Sequence, residues 1–173
     1  MALILLRHTT PKVATGVCYG QTDLPLADSF EREAQAVLET LPELEAIITS
    51  PLTRCRKLAE FIASQSGLTV VQDARVMEMD FGAWEGVSWD DIPRNEIDEW
   101  ADDVLHARPH GGESVAMLRD RSMIALKDWQ ARYGHPLIVT HAGVIKAALS
   151  KGETAEDFAT KIDFGAHVTI SSL

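Results

Sequence analysis

The chain has 173 residues; 46% are hydrophobic, 16 are Lys or Arg and 26 are Asp or Glu, giving a formal net charge of −10. That length and apolar content suit one domain, residues 1–173, with a sizeable core, and exclude wholesale disorder. The acidic balance repels phosphate backbones and anionic lipid, so neither nucleic acid nor a membrane is an expected partner.

Residues 2–6 are an unbroken apolar run and read as a strand buried on both faces. The run is shorter than a signal-peptide core, is cut by Arg7 and lacks a basic lead, so the expected location is cytoplasmic. Residues 9–25, rich in Thr, Gly and Pro, read as a loop. Over 28–41, Phe30, Ala34, Val37, Leu38 and Leu41 share one helical face. Residues 46–49 form a second apolar strand, and Ser50-Pro51 after it resembles a helix start with Ser50 as cap. The helix that follows keeps Leu52, Cys55, Leu58, Ala59 and Ile62 on one side, which makes Cys55 a buried packing thiol.

A third strand is expected at 69–71, a helix at 115–133 and a fourth strand at 137–140. His141-Ala142-Gly143 then opens a short apolar helix, and 167–171 reads as a closing strand. Alternating strands and helices predict a three-layer α/β/α sandwich with a mostly parallel central sheet. The stretch 73–103 stands apart. It holds eleven acidic residues, two basic ones and three of the four tryptophans, and reads as an acidic, solvated edge or cover.

In such sheets ligands bind beyond the carboxyl ends of the strands. Arg7-His8 follows the first strand, Ser50-Pro51-Leu52-Thr53-Arg54 the second and His141 the fourth. If those strands are neighbours, two arginines and two histidines converge, which is the chemistry of a phosphate site. His106 and His110 are four apart, but Pro109 spoils a helical metal-ligand pair. The two cysteines, Cys18 and Cys55, form no CxxC pair.

These motifs, together with Glu78-Met79-Asp80-Phe81-Gly82-Ala83-Trp84-Glu85-Gly86 and Gly111-Gly112-Glu113-Ser114, stand in the order seen in the histidine phosphatase superfamily, and the chain resembles that phosphoglycerate mutase-like group. The resemblance implies that His8 is the nucleophile that becomes a phosphohistidine. It implies that Arg7, Arg54 and His141 hold the phosphoryl oxygens, with His141 a third cation when protonated. Glu78 matches the general acid and base, and no metal or other cofactor is implied. The implied partner is a small phosphorylated substrate.

The sequence departs from the family pattern at Thr9, where Gly is usual, and at Ala14, where Asn is usual; Thr10 or Thr15 would have to supply the missing hydrogen bond. Residues 18–26, Cys-Tyr-Gly-Gln-Thr-Asp-Leu-Pro-Leu, are similar to α-ribazole phosphatases of cobalamin assembly. That similarity would put Tyr19 and Gln21 on the substrate side; a plain turn through Gly20 and Asp23 is the other reading. The expected activity is therefore phosphomonoester hydrolysis. A mutase-like phosphoryl transferase and a non-catalytic phospho-ligand binder are the alternatives. Oligomeric state stays open.

Overall fold

The computed structural model describes residues 2–171 and 173; Met1 and Ser172, the other positions of the expected domain, lie outside the described residues. Five strands form one sheet: β1 (Leu3–Arg7), β2 (Ala46–Thr49), β3 (Val70–Gln72), β4 (Pro136–Thr140) and β5 (His167–Ile170). Their spatial order is β3-β2-β4-β1-β5. All neighbours are parallel except β5, which runs antiparallel to β1 at the edge. The sheet is thus mostly parallel, as its continuous apolar runs require.

Alternate side chains of each strand feed two cores. Ile4, Leu6, Ile47, Leu137 and Val139 pack under α1 (Phe30–Thr40) and α2 (Thr53–Ser66). Leu3, Leu5, Ile48 and Ile138 pack under α4 (Val115–Arg132) and α5 (Ala142–Leu149). Each such aliphatic side chain, fully buried, contributes roughly 1.5–3 kcal/mol. The three-layer sandwich follows from this two-sided burial.

Local rules hold at some ends and yield at others. Ser114 caps α4, accepting from the Met117 N–H at 3.2 Å. Ser50 does not cap α2. The helix starts two residues later, with Leu52 in the cap position, and Asp23 takes the Thr53 N–H and hydroxyl, both at 2.8 Å. The first helix is shorter than 28–41 at both ends, and the third strand lies one residue later than 69–71.

Residues 73–103 form three single 3₁₀ turns and one short helix, α3 (Arg94–Asp102). Their carboxylates are largely exposed while Trp84 is buried and packs with Cys18 and Ile92. Among the described residues no helix is long and apolar enough to cross a membrane.

Candidate active site

The strand order makes β1, β4 and β2 consecutive across the sheet. Their carboxyl ends are level, because Arg7 pairs with Thr140 and Thr49 with Val139. His8, His141 and Ser50 therefore emerge side by side. The His8 N–H donates to Thr140 O and the Ser50 N–H to Val139 O, each at 3.0 Å, so backbone pairing fixes both.

His8 is 2% exposed. Its Nδ1 donates to the carbonyl of Thr9 at 2.7 Å, since a carbonyl can only accept. That bond selects the tautomer with a free lone pair on Nε2. Burial first, and the Arg54 charge second, hold the imidazole well below its ordinary pKa, so it is neutral near pH 7. The ring lies 5.2 Å from that of His141, edge to face.

Arg54, in the first turn of α2, is fully buried. Its Nη1 donates to Thr22 O at 2.8 Å and its Nη2 to Gly20 O. Its Nε sits 3.3 Å from His8 Nε2, a long and weak bond. Gly20 is required here by close approach, as a Cβ would lie 1.8 Å from the Met79 carbonyl. Arg7 is held from the far end of the chain. Its Nη1 donates to Ile162 O at 2.5 Å, and its guanidinium stacks 3.8 Å above the Phe164 ring.

His141 is fully buried, with Ser50 Oγ 2.8 Å and Cys55 Sγ 3.4 Å from its Nε2. Ser50 thus serves the imidazole first, and toward the helix its Oγ accepts only the Leu52 N–H, at 3.4 Å. Burial, then Arg54 and His8, keep the His141 pKa well below its ordinary value. Cys55 is a buried free thiol whose pKa burial pushes up.

Glu78 lines the same cleft as Arg7, His8 and Tyr19. Its Oε1 accepts from the Met79 N–H at 2.9 Å and its Oε2 from the Gly143 N–H at 3.1 Å. A Cβ on residue 143 would lie 2.0 Å from Oε1, so glycine makes room for this carboxylate. Arg121 braces the segment beneath, donating to the carbonyls of Arg75, Met77 and Glu78 and to both oxygens of Glu113.

The structure brings Arg7, His8, Arg54, Glu78, His141 and Tyr19 together. Thr15 and Ala14 are exposed and outside the cleft lining. Gln21 donates to the Glu78 carbonyl at 3.1 Å and supports that segment instead of lining the cleft. Thr10 is committed to Glu33 through both its N–H and its hydroxyl. Two supports were not singled out from sequence. Glu85 collects N–H groups of Gly20, Gln21, Thr22 and Phe81, and Arg121 looks like any charged helix residue. Glu85 lies in the quoted motif, so its signal was present.

Beyond the histidines the cleft opens to about 410 Å³ and is walled chiefly by aromatic and aliphatic side chains. The model of the histidine phosphatase superfamily, branch 1, matches residues 3–170. A probable phosphoglycerate mutase of Klebsiella pneumoniae is 36% identical over 150 residues, covering 82% of this chain and 69% of that protein. A glucosyl-3-phosphoglycerate phosphatase of Mycolicibacterium vanbaalenii is 32% identical over 161 residues, covering 84% of this chain and 71% of its own length. The solved structure of a mycobacterial glucosyl-3-phosphoglycerate phosphatase superposes with a TM-score of 0.84 at 27% identity, covering 98% of this chain and 89% of that one. The superfamily model spans residues 3–170, and with phosphatase relatives similar over 84% and 98% of the chain this protein is a phosphatase that belongs to branch 1 of the histidine phosphatase superfamily.

Proposed function

We propose that this chain hydrolyses small phosphate monoesters through a phosphohistidine at His8, without a metal. The observation that carries the reading is the His8 tautomer: Nδ1 is tied to Thr9 O, and the free Nε2 faces Arg54. In the first step Nε2 attacks phosphorus as the ester P–O bond breaks. Glu78 gives its proton to the departing oxygen. In the second step Glu78 takes a proton from water, the hydroxide attacks phosphorus, and the N–P bond breaks. Inorganic phosphate leaves with His8 neutral again.

Arg7 and Arg54 offset charge on the equatorial oxygens, which is the main demand of phosphoryl transfer. The 3.3 Å contact between Arg54 Nε and His8 Nε2 is weak enough for an incoming phosphoryl oxygen to replace. Neutral His141 contributes as a hydrogen-bond donor. Within the class of monoesters, α-ribazole 5′-phosphate is our first candidate, on residues 18–26, of which Tyr19 lines the cleft.

The test is phosphate release from p-nitrophenyl phosphate in excess EDTA, with wild type beside His8→Ala. Release by the wild type that EDTA leaves intact, and that falls by at least about 10³-fold in the variant, is expected. Comparable turnover in both proteins would move the nucleophile elsewhere, and loss with EDTA would bring in a metal.

A further inference from the structure

The aromatic part of the cleft lining is the part of the site that no catalytic role explains. Phe81, Trp89 and Trp100 line it, all from the stretch 73–103, and Phe158 and Leu118 face the same space. These three rings of the cover form one cluster. Phe81 meets Trp89 edge to face at 5.8 Å, and Trp89 and Trp100 lie nearly parallel with centroids 6.2 Å apart. Trp84 braces both indoles from behind at 6.0 and 5.8 Å. Trp89 keeps 37% of its surface in contact with solvent, a costly arrangement for an indole that covers nothing.

The charge of the cover narrows what this wall would receive. Residues 73–103 carry eleven carboxylates against Arg75 and Arg94. A leaving group with its own carboxylate or second phosphate would enter against that field. Within the cleft itself Glu78 is the lining carboxylate and, among the described residues, Lys146 the one lining cation besides Arg7, so no unmatched cation is left there for a second anion. The volume, about 410 Å³, is in the range of small-ligand sites and leaves room for a ring system beside the phosphoryl group.

We propose that the alcohol half of the substrate carries an uncharged, planar aromatic ring, held against Phe81, Trp89 and Trp100 while its phosphate meets His8 and the arginines. This rests on the phosphomonoesterase reading and deepens it. It separates the chain's substrate from anionic sugar-acid phosphates of the kind named for its relatives.

The experiment uses esters of matched leaving group, so that chemistry is constant and only binding differs. Phosphate release is measured for 2-(1-naphthyl)ethyl phosphate, propyl phosphate and 3-phosphoglycerate, with wild type, His8→Ala and Trp89→Ala. The wild type should prefer the naphthyl ester over propyl phosphate by roughly 30-fold in kcat/KM, the scale of burying one ring. It should handle 3-phosphoglycerate no better than propyl phosphate. Trp89→Ala should cut the naphthyl preference by about fivefold; the partial exposure of Trp89 keeps the risk to folding small. Wild-type preference within threefold of unity, a 3-phosphoglycerate rate above the naphthyl rate, or an unchanged preference in Trp89→Ala overturns the proposal.

Calorimetric titration of His8→Ala with the naphthyl and propyl esters reads the same subsite without turnover. Tighter naphthyl binding there, with no His8-dependent release from any ester, would sink the phosphatase reading and leave the aromatic subsite standing. His8-dependent release with equal binding of the two esters would do the reverse.

Discussion

At the phosphoryl end of the cleft, His8, Arg54 and His141 are 2%, 0% and 0% exposed and issue from strand ends or the first turn of a helix. Across the cleft, Phe81, Trp89 and Trp100 come from 3₁₀ turns and one short helix, and are half-buried or exposed. The first region is set by sheet register and by backbone hydrogen bonds. The second is set by ring packing within one excursion of the chain. Charge stabilisation needs groups placed to within about 0.5 Å, which rigid elements supply. Selection of an alcohol tolerates a looser wall, which loops supply. On the proposed reading, chemistry and choice are separated along a single cleft.

Substitution at Arg54 should show the largest effect. Arg54→Ala is expected to lower kcat/KM by about 10³-fold or more, because it removes a charge aimed at the equatorial oxygens. Inhibition by inorganic phosphate should weaken in step. Arg54→Lys keeps the charge but not the fork that reaches Thr22 O and Gly20 O, and should fall between. If phosphate inhibits all three proteins equally, the phosphoryl end is not where it has been drawn.

Glu78 joins the two regions, since it belongs to the cover stretch yet accepts from Gly143 on α5. Glu78→Gln should slow alkyl esters by about 100-fold and p-nitrophenyl phosphate by less than about tenfold, because only the alkoxide needs a proton as it leaves. The ratio of the two rates is the measurement. Equal losses on both esters would show that Glu78 positions the site without supplying the proton.

Much of the phosphoryl end could be read from the sequence because its residues are local to strands. Apolar runs mark β1, β2 and β4, and the next residues along the chain are His8, Ser50 and His141. The supports are a different matter. Arg7 depends on Ile162 and Phe164, 155 residues away at the nearer contact, and no local pattern announces that. Ser50 obeys the rule for a helix cap in sequence, but a histidine 91 residues later is the stronger partner. Residues 73–103 read as solvated because their carboxylates dominate the composition. Periodicity reports which rings avoid water, and is silent on which of them face a cleft.

Acid stability gives the finest division between the two regions. Burial chiefly, then nearby arginine charge, holds His8 and His141 well below 6.5 in the folded chain. Below that pH the unfolded chain takes up protons that the native state refuses, so stability falls as pH drops from 6.5. Each histidine contributes up to about 1.4 kcal/mol per pH unit to that slope. His110, packed against Phe81 and Trp84 of the cover, is also lowered by burial, but less, so its window closes sooner. The structural carboxylates Glu85 and Glu113 behave otherwise. Burial raises them, but Thr22 with backbone N–H groups, and Arg121, outweigh it and hold them below 4.5. Their stabilisation is complete above 4.5 and is lost only on further acidification. Urea unfolding at unit steps of pH should therefore show two descending segments. His8→Ala should reduce the upper slope by about 1.4 kcal/mol per pH unit and leave the lower one alone, whereas Glu85→Gln should do the opposite. An unchanged upper slope in His8→Ala would mean that the imidazole titrates freely, and a freely titrating imidazole would not suit the neutral nucleophile proposed at His8.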